Sequence, residues 1–168
     1  MPKAISNTSP LLYLYRVEAI DWLPKLFDEI WTTEAVRNEL LAGQMKGCEV
    51  PIPADYSWLR IVNPQAMPSE WLALDLGAGE LSAMALALEN PGRVILLDDM
   101  LARRTAIAAG LNVWGSLKVL LEAKSQGLVD RLGPVVNRLH EAGMWISADV
   151  KHRILELAGE AGNQKLGN

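Results

Sequence analysis

At 168 residues, half of them hydrophobic and 21% charged, the chain is long and apolar enough for a single domain with a buried core. One cysteine, Cys48, excludes an internal disulfide and a cysteine-rich zinc site. A formal net charge of −4 counts against a surface that coats duplex nucleic acid, but not against a small acidic pocket that holds metal ions and cuts a short segment. No apolar run approaches the ~18 residues of a membrane span. The start, MPKAISNTSPLLYLY, lacks the pattern of a signal peptide, so a cytoplasmic location is expected.

Taken in order, Ala4-Ile5-Ser6 begins a short buried strand, and Asn7-Thr8-Ser9-Pro10 is a strand-to-helix junction of good N-caps followed by proline. Leu11 to Tyr15 and Ile20 to Phe27 are apolar segments, the second broken by Pro24. Glu29 to Thr32 reads as the second strand. Thr33 reads as the N-cap of a helix from Glu34 to Leu41, ended by Gly43. Residues 43 to 57 carry no periodic pattern. Leu59 to Val62 is a short strand, and Glu70 to Leu74 a helical turn. Asp75-Leu76-Gly77-Ala78-Gly79 leads into a helix opened by Glu80, and the apolar strand Val94 to Leu97 ends on Asp98-Asp99. Asn112 to Trp114 is a last strand, with Gly115-Ser116 opening a helix to about Lys124. Arg131 to Ala142 and Ser147 to Ala158 are two amphipathic helices outside the alternation, expected to pack on an edge or a partner. The tail from Gly159 is expected to fray. Short apolar strands alternating with helices predict a parallel sheet covered on both faces.

Such a sheet gathers polar residues at the carboxyl ends of its strands. Asn7, Glu39, Glu80, Asp98, Asp99 and Ser116 are the candidates. A cluster of oxygen donors without Cys or His suits Mg²⁺ or Mn²⁺. Such ions activate water and stabilise charge on a phosphate. Each residue also has an ordinary reading. Glu80 in a first helical turn suits the helix dipole. Glu39 suits a solvated helix face. Asn7, Asp98, Asp99 and Ser116 suit helix caps. Arg103 and Arg104 suit ion pairs. His140 and His152, both in the C-terminal helices, suggest no zinc site, and the six tryptophans suggest core or interface.

The combination resembles the PIN-domain family, in an uncharacterised prokaryotic branch similar to the VapC-type toxin nucleases of toxin–antitoxin pairs. The resemblance rests on Ile5-Ser6-Asn7-Thr8-Ser9-Pro10-Leu11, Thr33 to Leu40, Leu76-Gly77-Ala78-Gly79-Glu80, Leu96-Leu97-Asp98-Asp99 with Ala102-Arg103, Gly115-Ser116-Leu117, and Arg138 to Ser147. It implies an α/β fold of three layers, α/β/α and Rossmann-like, with a central parallel sheet of about five strands. One domain spans residues 1–160, the helices of 131–158 form a C-terminal extension, and 161–168 form a flexible tail. It implies a Mg²⁺- or Mn²⁺-dependent endoribonuclease that hydrolyses RNA phosphodiesters. Glu39, Glu80 and Asp98 are its catalytic acids, and Asn7 and Asp99 lie with them at the metal. Asp98 is expected to bind directly, with Asp99 behind it or capping a helix. Ser116, Thr8 and Ser9 support the site, and Arg103 or Arg104 contacts RNA. It further implies a homodimer and a small antitoxin partner.

One departure stands out. Active PIN nucleases usually carry aspartate where this chain has Asn7, and an amide oxygen brings no charge to a hard cation. The alternative is therefore a PIN-like scaffold of weak or lost activity that dimerises or binds an antitoxin, with Leu11 to Tyr15 and Ile20 to Phe27 as its partner surfaces. A receiver domain would need its acidic pair after the first strand. A dinucleotide-binding domain would need a further glycine after Gly77-Ala78-Gly79.

Overall fold

The strands alternate in side-chain direction, and that alternation builds two cores. In the computed structural model, which describes residues 1–160, Ala4, Val94 and Leu96 belong to one buried cluster and Ile5, Ile95 and Leu97 to the other. Successive residues of a strand face opposite ways, so a run apolar at every position marks a strand buried on both sides.

Five strands form one parallel sheet: β1 (Lys3–Ser6), β2 (Glu29–Thr32), β3 (Leu59–Ile61), β4 (Val94–Leu96) and β5 (Asn112–Trp114), in the order β3-β2-β1-β4-β5. The described helices are α1 (Thr8–Arg16), α2 (Leu23–Leu26), α3 (Glu34–Met45), α4 (Ala78–Glu89), α5 (Met100–Ala108), α6 (Ser116–Ser125), α7 (Gly133–Glu141) and α8 (Ala148–Leu157), with 3₁₀ turns at Ile20–Trp22, Pro53–Asp55 and Ser69–Ala73. One face of the sheet is covered by α4 and α5, the other by α1, α2, α6, α7 and α8. The chain moves outward from β1 through β2 to β3, then returns to β4 on the opposite side. The direction therefore reverses between β1 and β4, and a crevice opens at their carboxyl ends. Asn7 follows β1, Asp98 and Asp99 follow β4, and the Asn7 N–H donates to the Leu96 carbonyl at 3.1 Å.

Three expectations need correction. The helix α3 does not stop at Gly43 but runs to Met45; it stops at Gly47, whose φ of +85° is the left-handed conformation that glycine adopts without cost. Gly43 serves a close approach instead, because a Cβ there would lie 3.3 Å from Val50 Cγ1. Leu11 to Tyr15 and Ile20 to Phe27 are chiefly core segments rather than open partner surfaces, with Leu12, Tyr13, Tyr15 and Trp22 half-buried. Leu11, Leu14, Ile20, Leu23, Leu26 and Phe27 are all buried, and each such side chain stabilises the fold by about 1.5–3 kcal/mol.

Nor is the chain frayed from Gly159. Gly159 turns with φ +77°, and the Glu160 N–H donates to the Leu155 carbonyl at 2.7 Å. The Glu160 carboxylate then accepts from Lys124 Nζ (2.8 Å) and from the N–H groups of Leu132 (2.8 Å) and Gly133 (3.1 Å). The N-cap position of α7 is Leu132, which has no polar side chain, so Glu160 caps this helix from a distance. The tail expected at 161–168 lies outside the described residues.

Burial raises the Glu160 carboxyl, but its bonds to Lys124, Leu132 and Gly133 outweigh that and hold it below the ordinary value of 4.5. A depressed carboxyl contributes stability above its unfolded value and loses it as pH falls through the folded value. Glu160→Gln is expected to cost about 2 kcal/mol at neutral pH, the scale of hydrogen bonds to a charged group. Urea denaturation checks this, and the gap from wild type should close as the pH drops below 4.5.

Candidate active site

Asn7 stands at the N-cap position of α1, yet its side chain makes no capping bond. Its backbone is still extended (φ −76°, ψ 177°), so the alternation of β1 carries one residue further and sends Asn7 toward the α4 and α5 side with Ile5. The residue is 1% exposed, and Oδ1 has no hydrogen-bond partner. A buried acceptor without a donor costs about 1–3 kcal/mol, so this oxygen is set to meet a donor or a cation.

Glu39 lies in the middle of α3, exposed along its stem but fixed at its head. Oε2 accepts from Thr8 Oγ1 at 2.8 Å, and Oε1 accepts from the Gly79 N–H at 2.6 Å. It thereby ties the first turns of α1 and α4 together, with its charge against the positive end of α4. Position 79 must be glycine for this, because a Cβ would sit 2.5 Å from Glu39 Oε1.

Glu80 is half-buried in the first turn of α4, and Oε2 accepts from the Gly77 N–H at 3.2 Å. Burial raises its carboxyl. The Gly77 bond opposes this, and the charges of Asp99, Glu39 and Asp75 push it further up. The carboxylates of Glu39, Glu80 and Asp99 thus share one field of unneutralised negative charge.

The Asp98-Asp99 pair divides between the two faces. Asp98 turns toward α6, where Oδ1 accepts from the Ser116 N–H at 2.8 Å and Oδ2 from Ser116 Oγ at 2.7 Å. Burial raises its carboxyl against the pull of those bonds and of Arg103. Asp99 is exposed and caps α5, with Oδ1 accepting from the Ala102 N–H at 2.9 Å. Extending the alternation of β4 puts Leu97 and Asp99 on the side of α4, and Asp98 on the side of α6. Asp99 is therefore the member of the pair on the side of Glu80, and it caps a helix, one of the two roles expected for it.

Arg103 donates Nη1 to the Leu97 carbonyl at 3.0 Å. Its guanidinium fills the space where a Gly115 Cβ would stand, 2.6 Å from Nη1. Arg104 is exposed and does not line the crevice, and His140 and His152 are likewise exposed and outside it. Among the described residues, no three His, Cys, Asp or Glu side chains are drawn close enough to hold a metal ion. The donor types still suit a hard cation: a buried unpartnered amide oxygen at the end of β1, and a Glu80 carboxylate raised in part by the charges of Asp99 and Glu39, which a cation would relieve.

The crevice opens into a cleft of about 720 Å³ that Ser9, Glu80, Asp98, Asp99 and Arg103 share with residues not anticipated from sequence. Tyr13, Lys118, Met144 and Trp145 are among them. The signal was present in Gly143-Met144-Trp145-Ile146, a bulky apolar run in the loop between two amphipathic helices.

A family model described as "DUF3368: PIN domain" matches residues 3–160. The chain belongs to the PIN-domain family. PIN domains are generally nucleases that use divalent metals and bind nucleic acid. The fold agrees with a solved PilT N-terminus domain protein from the hyperthermophilic archaeon Sulfolobus solfataricus P2. That match has a TM-score of 0.54 and 15% identity over 72% of this chain and 92% of the other. No curated protein sequence matches this PIN domain. Among its described residues, no helix is long and apolar enough to cross a membrane.

Proposed function

We propose that this PIN domain is a Mg²⁺- or Mn²⁺-dependent endoribonuclease. The observation that carries the reading is the buried, unpartnered Asn7 Oδ1 at the reversal point of the sheet, where the alternation of β1 continued by one residue would turn it to the side of Glu80 and Asp99. Glu80, Asp99 and the Asn7 amide oxygen are the groups that would hold an ion. A bound divalent cation supplies Lewis-acid stabilisation of phosphate charge and a more acidic water. The chain supplies position. Glu39 holds the first turns of α1 and α4 in register through Thr8 and Gly79. Asp98 and Ser116 set the start of α6, and Arg103 braces the end of β4. Ser9 and Lys118 stand in the same cleft as polar contacts for the strand to be cut.

The test is cleavage of a mixed single-stranded RNA pool by purified protein in Mn²⁺, Mg²⁺ or EDTA, beside Glu80→Gln. Metal-dependent cutting that disappears in the variant supports the nuclease. Cutting that survives it removes Glu80 from the site. The absence of cutting in every metal favours the second reading, an inactive module for dimerisation or antitoxin binding. That reading is favoured by the neutral Asn7 and by the lack of three converged acids among the described residues. Sedimentation with and without a co-expressed small partner protein would then identify what it assembles with.

A further inference from the structure

Trp145 is the most exposed of the large apolar side chains on the wall of the cleft, where Met100 and Val150 are exposed as well. It is 81% exposed, whereas Trp71 is 7% exposed. Its exposure is imposed by its neighbours. Ile146 is buried in the main core, and Met144 packs against that core. The loop around them is fastened at several points. Arg16 Nη1 donates to the Ala142 carbonyl at 3.0 Å, the Met144 N–H to the Leu139 carbonyl at 3.2 Å, and the Val150 N–H to Ser147 Oγ at 3.2 Å. A loop pinned on both sides of a tryptophan fixes where the indole is presented, so a ligand has only the side-chain rotamer left to order.

The same cleft holds Glu80 and Asp99 together with two cations, Arg103 and Lys118. Lys118 Nζ lies 5.2 Å from the centre of the Trp114 ring and 3.1 Å from Glu122 Oε1, which orients it at the start of α6. An exposed flat aromatic beside cations is the pairing that binds unpaired nucleotides: the ring takes a base face, and the cations take the phosphates. Arg103 is held beside Asp98 and Lys118 beside Glu122, so both cations are fixed on the wall, and the nucleic-acid binding of PIN domains favours a nucleotide over an apolar protein segment as the occupant. We infer that Trp145 is a stacking platform for a base of single-stranded RNA and positions the strand across the cleft. The inference rests on the nucleic-acid reading above and deepens it by naming the residue that holds the substrate.

The experiment is fluorescence anisotropy of a labelled oligoadenylate and of an abasic strand of equal length, measured in EDTA so that no metal-dependent cutting interferes. Trp145→Ala should weaken oligoadenylate binding by roughly 5- to 150-fold, the range measured for lost base–aromatic stacking. Trp145→Phe should keep most of the affinity. The abasic strand should bind the wild-type protein no better than oligoadenylate binds Trp145→Ala. Melting temperatures should be unchanged, because the side chain is exposed. Equal binding by wild type and Trp145→Ala, equal binding of both strands, or a dimer lost in Trp145→Ala would each overturn the platform. Binding and cutting fail separately: a platform that persists without cleavage sinks only the nuclease, and cleavage without Trp145-dependent binding sinks only the platform.

Discussion

Asn7→Asp should lower the stability of the metal-free protein by about 3–5 kcal/mol, the cost of a buried charge without a partner. Mn²⁺ should then restore most of that loss. The physical case is the environment of Oδ1, which is buried and receives no donor from the chain. A neutral amide tolerates that position. A carboxylate must either take up a proton or find a cation. The variant should therefore melt earlier than wild type in EDTA, less so at low pH where it is protonated, and gain more from Mn²⁺ than wild type gains. Differential scanning calorimetry across metal concentration reads all three. Equal Mn²⁺ shifts in both proteins would remove Asn7 from any metal site.

Asp99→Asn and Asp98→Asn should fail in different ways, although the two residues are adjacent. Asparagine caps a helix about as well as aspartate, so Asp99→Asn keeps the bond to the Ala102 N–H and should change stability little. It removes a charge that faces Glu80, and metal-dependent cleavage should drop by at least ~100-fold, the upper end of what losing an outer partner costs a metal centre. Asp98→Asn should act on the scaffold. Both Asp98 oxygens accept from Ser116; an asparagine keeps the Ser116 N–H on Oδ1 and must donate its N–H₂ to Ser116 Oγ, so two charge-assisted bonds become neutral ones. The expected cost is about 1–3 kcal/mol. Melting and Mn²⁺ titration of the two variants together give the answer. Loss of metal binding in Asp98→Asn alone would reverse the assignment.

Which member of the pair stands on the side of Glu80 was not legible in the residues, for a definite cause. Strand periodicity was legible where it was local: Glu29 to Thr32 and Asn112 to Trp114 have the bounds that the residues suggest. The phase of the alternation beyond a strand's end depends on which helices lie on which face, and that is a tertiary fact. With α4 on one side and α6 on the other, Asp98 and Asp99 fall to different neighbours. The same limit hid the boundary of α3. Glycine inside a helix costs about 1 kcal/mol relative to alanine and usually reads as a stop, yet Gly43 is kept because Val50 folds back against it. Asn7 and Glu80 could be named as candidates because polar residues stand out at strand and helix junctions, whereas Glu39, in the middle of α3, has no such local mark. Trp145 was missed because composition says nothing of which tryptophan the packing leaves outside.

The carboxylate of Glu160 joins the end of α6 to the start of α7 just after α8 has closed. The start of α7 is thus fixed by one of the last described residues, while the loop that carries Trp145 has its own fastenings at Ala142, Met144 and Ser147. Trimming the chain ahead of residue 160 would uncap α7 and cost stability without touching a residue of the cleft wall.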